Sequence, residues 1–431
     1  MRARRNPVER SRRSPARGKA TTRPLASLLV LLSLGGAFAN DVTQYFRSLP
    51  SRIPQCQVDG ADGARRTMEH VICVYISPDG GIVQHKDIGR APGSGKQMIM
   101  DLMLREVLKE IRAAHGAHSS WLSFGMVYSA DGPLSRRAYP ILGFGMMHPD
   151  RQPGLMVPNP FFVSPRWWQA FSNASSERSA TRPWATRVPK ALFRGACGPG
   201  AKARFQLLRV RDETRLDVGF TKADGYATVR ECVLDLAKKH AFGRADAARL
   251  LDRRVLAQVP QRNYSHYRYL IHMPGSATGS YSRNLQYLWS HGAVVLVWKH
   301  EAAEYYYQWL REGVHYLSVD GSTILEQIER VERNTTLRDA LLEGAAAFQR
   351  LYLSRAALVD RWWSILKLLR ERQTQGAMPT IDGNAACTCD EALMAKKIPE
   401  CTKCEIVHMK DHRLAKFVGV VPKHLAPAQP Q

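Results

Sequence analysis

Apolar positions fall in two rhythms along this chain. Residues 71–77 (VICVYIS) are apolar at almost every position, which predicts a buried strand. Residues 97–116 (QMIMDLMLREVLKEIRAAHG) repeat apolar side chains three and four apart, the spacing of an amphipathic helix. A strand running into a turn follows at 121–132 (WLSFGMVYSADG), then an apolar run at 138–147. The aromatic-rich residues 158–171 (PNPFFVSPRWWQAF) read as a loop, and the Ser/Arg-rich residues 172–190 as an interdomain linker.

Beyond residue 190 the alternation is more regular. ALFRGAC, YRYLIHM, AVVLVWK and HYLSV read as strands, with helices expected at KARFQLLRVRDE, SRNLQYLWSH, EAAEYYYQWLRE and STILEQIERVERN. All-apolar strands alternating with helices predict a parallel sheet covered on both faces. A long helical stretch, 338–373, closes this half. The pattern is that of an α/β protein with two domains and a cleft between them.

Length agrees, since 431 residues exceed what one ordinary core holds. The formal net charge of +24 suggests an anionic partner. Part of that charge belongs to the first 24 residues, which carry nine Arg or Lys and one Glu. The apolar run PLASLLVLLSLGGAFA follows (24–39) and ends in small residues, so residues 1–39 resemble a secretory signal, cleaved or kept as a membrane anchor. Sequons at Asn173, Asn263 and Asn334 and an even count of eight cysteines fit a secretory-pathway location. Four of those cysteines (387, 389, 401 and 404) crowd a tail, 376–431, where disulfides are favoured over a zinc site.

Three constellations carry chemistry. The loop PGSATGSYSRN leaves a predicted strand and leads into a helix, so it lies where ligands of open α/β sheets bind. Its Ser280 and Ser282 either greet a phosphate at the helix start or merely cap that helix. In FRGACGPGAKAR, Arg194 is placed at a strand end, followed by glycines and Arg204; guanidinium groups pair bidentately with phosphate. Asp131, in the turn YSADGP, is either a turn residue or a general base for an attacking hydroxyl. The cations outside the N-terminus are dispersed, no nucleic-acid motif occurs, and neither a His/Asp metal cluster nor a P-loop pattern is present.

These stretches together resemble the glycosyltransferase family 90 domain, the group of Rumi-type protein O-glucosyltransferases and fungal capsule-associated xylosyltransferases. VPKALFRGAC, LDVGF, YRYLIHMPGSATGSYSRNLQYLWSHGAVVLVWK and EYYYQWLREGVHYLSVD are similar to its blocks and run in its order. LMVPNPFFVSPRWW looks like the segment ahead of the linker, and the likeness spans about 120–370. The resemblance implies a GT-B-type fold of two Rossmann-like domains: 40–180 on the acceptor side and 181–375 holding the nucleotide-sugar. It further implies inverting transfer from UDP-glucose or UDP-xylose, without metal or cofactor, to a protein or glycan hydroxyl in the ER or Golgi lumen. On it, Arg194 and Gly195 match the donor block, and Ser280, Ser282 and Arg283 the polar start of the donor helix. Glu304 matches the Glu-aromatic-aromatic position, and Asp131 the base. Two positions depart from the pattern: Gly132-Pro133 follow Asp131 where the family has an aromatic and proline, and Arg283 stands one place before the family's arginine. A non-catalytic glycan- or nucleotide-binding relative is the other reading.

Overall fold

The computed structural model describes residues 42–56, 71–78, 80–85, 95–127, 137–147, 154–240, 243–275, 284–374 and 385–387. Eleven strands form two sheets among them. The N-terminal sheet contains β1 (Val71–Ile76), β2 (Ile82–His85), β3 (Leu122–Val127), β4 (Ile141–Gly143), β5 (Leu155–Met156) and, from the tail, β11 (Ala385–Cys387). Its order is β11-β2-β1-β3-β4-β5. It is mixed: β1 runs antiparallel to β2 and β3, whereas β3, β4 and β5 run parallel.

Helix α1 (Gly95–His115) buries Met100, Met103, Leu104, Val107, Leu108 and Ile111 at the three-four spacing that its sequence shows. Helix α2 (Pro165–Ala180) replaces the expected loop and the first half of the expected linker. Ser164 caps it by accepting from the Trp167 N–H at 3.3 Å, and Pro165 takes the first-turn position where its missing N–H costs nothing. Burial of Trp168 and Phe171 against the rest of the chain then makes the helix worth forming.

The second sheet joins β6 (Val188–Cys197), β7 (Leu216–Ala223), β8 (Tyr267–His272), β9 (Val294–Trp298) and β10 (Leu317–Val319). All pairs are parallel and the order is β10-β9-β8-β6-β7, which bears out the expected α/β class. Helices α3 (Lys202–Arg209), α4 (Val229–Lys239), α5 (Arg244–Arg254) and α7 (Ile324–Arg333) contribute Phe205, Leu236, Leu250 and Ile328 to one core with β-strand residues such as Val218, Ile271 and Leu296. The crossover from β8 to β9 ends in α6 (Leu285–Leu288) and a 3-10 turn through His291. Gly292 closes it at φ +58°, and a Cβ there would lie 1.9 Å from Ser179 Oγ, so both backbone and space demand glycine.

Two expectations need correction. The segment 301–312 holds only the 3-10 turn Tyr307–Trp309, not a helix. Glu304, Tyr305 and Tyr306 are all wholly buried, with Tyr305 against Trp309 and Tyr306 against Phe348. Consecutive residues buried in different directions cannot share one helix face. The stretch 338–373 is two helices, α8 (Thr335–Tyr352) and α9 (Arg355–Arg372), broken where Ser354 caps the second. Helix α9 returns to the N-terminal sheet: Trp362 packs 6.1 Å from Phe124, and Arg355 pairs with Glu110 at 2.9 Å.

Among the described residues two disulfides form, Cys56–Cys73 and Cys197–Cys232. The expected pairings of the tail cysteines lie outside the described residues. Among those described, no helix is long and apolar enough to cross a membrane.

Candidate functional site

Numbered in chain order, the second sheet reads 2-1-3-4-5 from its β7 edge, a doubly wound pattern. The direction of winding reverses between β6 and β8, and the loops leaving their carboxyl ends part there to leave a crevice. After β6 comes Gly198-Pro199-Gly200, and after β8 comes Met273-Pro274-Gly275. Arg204, on α3, is buried between these loops. It donates from Nε to the Pro274 carbonyl and from Nη1 to the Ala196 carbonyl, each at 2.9 Å. A cation is thereby held at the mouth of the crevice.

His272, the last residue of β8, faces the same region. It is wholly buried, its Nε2 lies 3.2 Å from the Tyr307 hydroxyl, and its ring centroid is 5.2 Å from that of His300 beyond β9. Burial, with His300 and Arg204 nearby, holds the His272 imidazole well below the ordinary histidine range; burial brings His300 down to about 4. Both rings are neutral at pH 7 and offer hydrogen bonds rather than charge. The Nδ1 of His272 has no partner among the described residues.

The N-terminal half reaches this region from the other side. Met146, three residues past β4, forms a two-bond antiparallel bridge with Ala303, five residues past β9 (2.9 and 2.8 Å). The carboxyl end of β4 and that of β9 therefore meet. Beside the bridge, Asn159 donates to Glu304 Oε2, and Tyr306 donates to Glu304 Oε1 at 3.3 Å. Asn159 Oδ1 accepts from the Phe161 N–H at 2.9 Å and from Gln286 Nε2 at 3.4 Å. Asn159, Gln286 and Glu304 are all wholly buried.

The expected site residues part company here. Glu304 is closed off among Asn159, Tyr306 and its apolar neighbours. Arg194 lies within β6, opposite Gly219, rather than at its end. Its Nη2 pairs with Asp217 at 2.7 Å, Nη1 donates to the Asp217 and Phe193 carbonyls, and Nε donates to Ala257 at 3.0 Å. These bonds tie β6 to β7 and to the chain beyond it, whereas Arg204 is the arginine at the strand ends. Gly195 lets the Phe193 ring fold back, since a Cβ would lie 2.5 Å from it. Asp131, Ser280, Ser282 and Arg283 lie outside the described residues.

Sequence reasoning missed Asn159, His272, Gln286 and Tyr307. Only His272, a histidine closing an apolar strand just before the Gly/Ser loop, left a readable signal. No group of three His, Cys, Asp or Glu side chains is placed to hold a metal among the described residues. A groove of about 840 Å³ is lined by Leu208, Leu250, Trp298 and Asp320 and bordered by Arg209, Arg249 and Lys299.

Burial raises the Glu304 carboxyl to about 8. Between pH 6.5 and 8 the folded protein thus keeps a proton that the unfolded chain has released, so stability falls as pH rises, by about 2 kcal/mol over that interval. Below about 6.5 the buried histidines act oppositely, because they stay neutral in the fold and charge on unfolding. Urea denaturation at pH 6.5 and 8 should show the alkaline loss in the parent and not in Glu304→Gln. Equal slopes for the two proteins would remove Glu304 as its source.

The sequence model of glycosyl transferase family 90 matches residues 162–413, more than half of the chain. No curated protein matches it. Among solved structures, Anabaena Alr3699/HepE in complex with UDP-glucose is 11% identical, with a TM-score of 0.33, over 61% of this chain and 81% of that one. A glycosyltransferase from Rickettsia africae ESF-5 is 9% identical with a TM-score of 0.31, over 54% of this chain and 63% of that one. Against HepE in complex with UDP and glucose (11% identity, TM-score 0.30, 45% of this chain), the chain spans about half that structure's length, 52%.

Proposed function

The chain belongs to glycosyl transferase family 90, and from that premise we propose that it moves glucose or xylose from a UDP-sugar to a hydroxyl of a protein or glycan, with inversion at the anomeric carbon. One observation carries the proposal: the family match spans the doubly wound sheet whose β6/β8 crevice is the place for a nucleotide. In this reading the donor diphosphate lies at this crevice, with Ser280, Ser282 and Arg283 as its proposed polar contacts. Arg204, rather than Arg194, supplies the nearby fixed cation, because the Arg194 guanidinium is engaged with Asp217.

In the reaction the acceptor oxygen attacks the anomeric carbon from the face opposite UDP. The new C–O bond forms as the bond to the β-phosphate oxygen breaks, and UDP leaves with its electron pair. Asp131 takes the hydroxyl proton. Cations and backbone N–H groups at the crevice counter the charge gathering on the diphosphate, and no metal is required.

The compartment proposed is the ER or Golgi lumen, with residues 1–39 as signal or anchor. The Cys56–Cys73 and Cys197–Cys232 bonds support it, since cytosolic thiols are kept reduced. The test is UDP release from UDP-glucose and UDP-xylose with a panel of protein and glycan acceptors. Acceptor-dependent release supports transfer; UDP binding with no turnover of either sugar would favour the non-catalytic relative.

A further inference from the structure

The chains leaving β8 and β9, the first of which borders the donor crevice, both reach Asn159. The chain leaving β8 re-emerges at α6, where Gln286 donates to Asn159 Oδ1 at 3.4 Å. The chain leaving β9 passes through Glu304, which accepts from Asn159 Nδ2, and three residues later presents the Tyr307 hydroxyl to His272 at 3.2 Å. Asn159 itself lies in the N-terminal half, just ahead of the family-matched region. Its carbonyl oxygen also caps the turn Pro160–Phe162, accepting from Phe161 N at 2.9 Å, which locks its side chain in one orientation.

We infer that Asn159 is a positioning residue: through Gln286 and Glu304 it fixes, from the opposite half of the protein, the segment leaving β8 and the segment leaving β9 that carries Tyr307 to His272, so the donor site is assembled by the two halves together. This rests on the donor reading above. Each Asn159 polar atom has a partner, and no water is needed to complete the contact with Glu304. A wholly buried amide bound to a wholly buried carboxyl is a demanding arrangement, because either group left unpaired carries the full cost of its lost hydration. Such a pair tolerates little displacement of either segment. The Glu304 carboxyl is consequently a structural acceptor rather than a ligand for the donor. The titratable groups around it are Tyr287 from the crossover and Tyr305 and Tyr306 from its own turn, with the Arg361 guanidinium 6.0 Å from the Tyr305 ring.

A double-mutant cycle on the full chain tests this, read by UDP binding in calorimetry and by thermal unfolding at pH 6 and 8. Asn159→Asp sets two carboxyls against each other. It is expected to weaken UDP binding about tenfold at pH 8 and less at pH 6, the size of an ordinary pairwise coupling. Adding Glu304→Gln restores one carboxyl and one amide with their positions exchanged, and should bring UDP affinity back to within about threefold of the parent. A double variant as weak as Asn159→Asp would overturn the pairing. Glu304→Gln alone weakening UDP binding as much as Asn159→Asp would return Glu304 to the donor's ligands. Failure of the parent to bind UDP would instead sink the donor reading, and the positioning role with it, while the coupling in melting temperature would still report the contact.

Discussion

Replacing Asp131 with asparagine is expected to cut sugar transfer about a thousandfold while leaving UDP affinity within about twofold, the range for removing a general base that does not touch the donor. The reasoning starts from strand direction. β3 and β4 run parallel, and the chain leaving β4 bridges to the chain leaving β9 through Met146 and Ala303. The carboxyl ends of the N-terminal parallel strands therefore face those of the second sheet. Asp131 follows β3 by four residues in sequence, and it is the base that the proposed reaction assigns. A carboxylate on the acceptor side of the cleft is where a hydroxyl attacking away from UDP needs its proton removed. Asparagine keeps the shape and hydrogen-bonding reach but cannot take the proton. The measurement is single-turnover transfer alongside UDP calorimetry. Undiminished transfer would strike Asp131 from the mechanism, and joint loss of transfer and UDP binding would make it a structural residue.

The second large effect concerns Cys197–Cys232. Cys232→Ser should lower stability by about 3–4 kcal/mol, as expected for opening a covalent loop of this length. The bond spans 35 residues and fastens the end of β6 to α4. Cys197 stands next to Ala196, whose carbonyl Arg204 holds, and immediately before Gly198-Pro199-Gly200. Freed from α4, that strand end loses its anchor, so UDP affinity should drop together with stability. Urea midpoints of the parent, Cys232→Ser and the reduced parent give the first quantity, and calorimetry the second. A variant with the parent's midpoint would show that packing alone holds the strand end, since both cysteines are also wholly buried.

Much of the half that carries the parallel sheet was legible along the chain. Buried parallel strands need apolar residues on both faces, so ALFRGAC, YRYLIHM and AVVLVWK announced themselves, and the ordered blocks around them pointed to the family. Helix α1 was legible for the complementary reason, a single buried stripe. Where residues are buried in several directions at once, periodicity misled. PNPFFVSPRWWQAF read as a loop because aromatics surround its prolines, yet Ser164 and Pro165 begin a helix there. EAAEYYYQWLRE read as a helix, yet Tyr305 packs against Trp309, Tyr306 against Phe348 and Tyr307 against His272.

The site divided along the same line. Residue type and local order determined the α/β class and the parallel sheet, because each depends on neighbours within a few positions. Which arginine stands at the crevice depended on strand register and the winding order. Arg194 and Arg204 are equally basic in sequence, but β7 offers Asp217 to the first, while the loops after β6 and β8 enclose the second. Glu304 and Asn159 are 145 residues apart, and nothing local in either segment marks them as partners. Their pairing was decided only when the two halves closed on each other, burying a carboxyl that could be satisfied there by that amide.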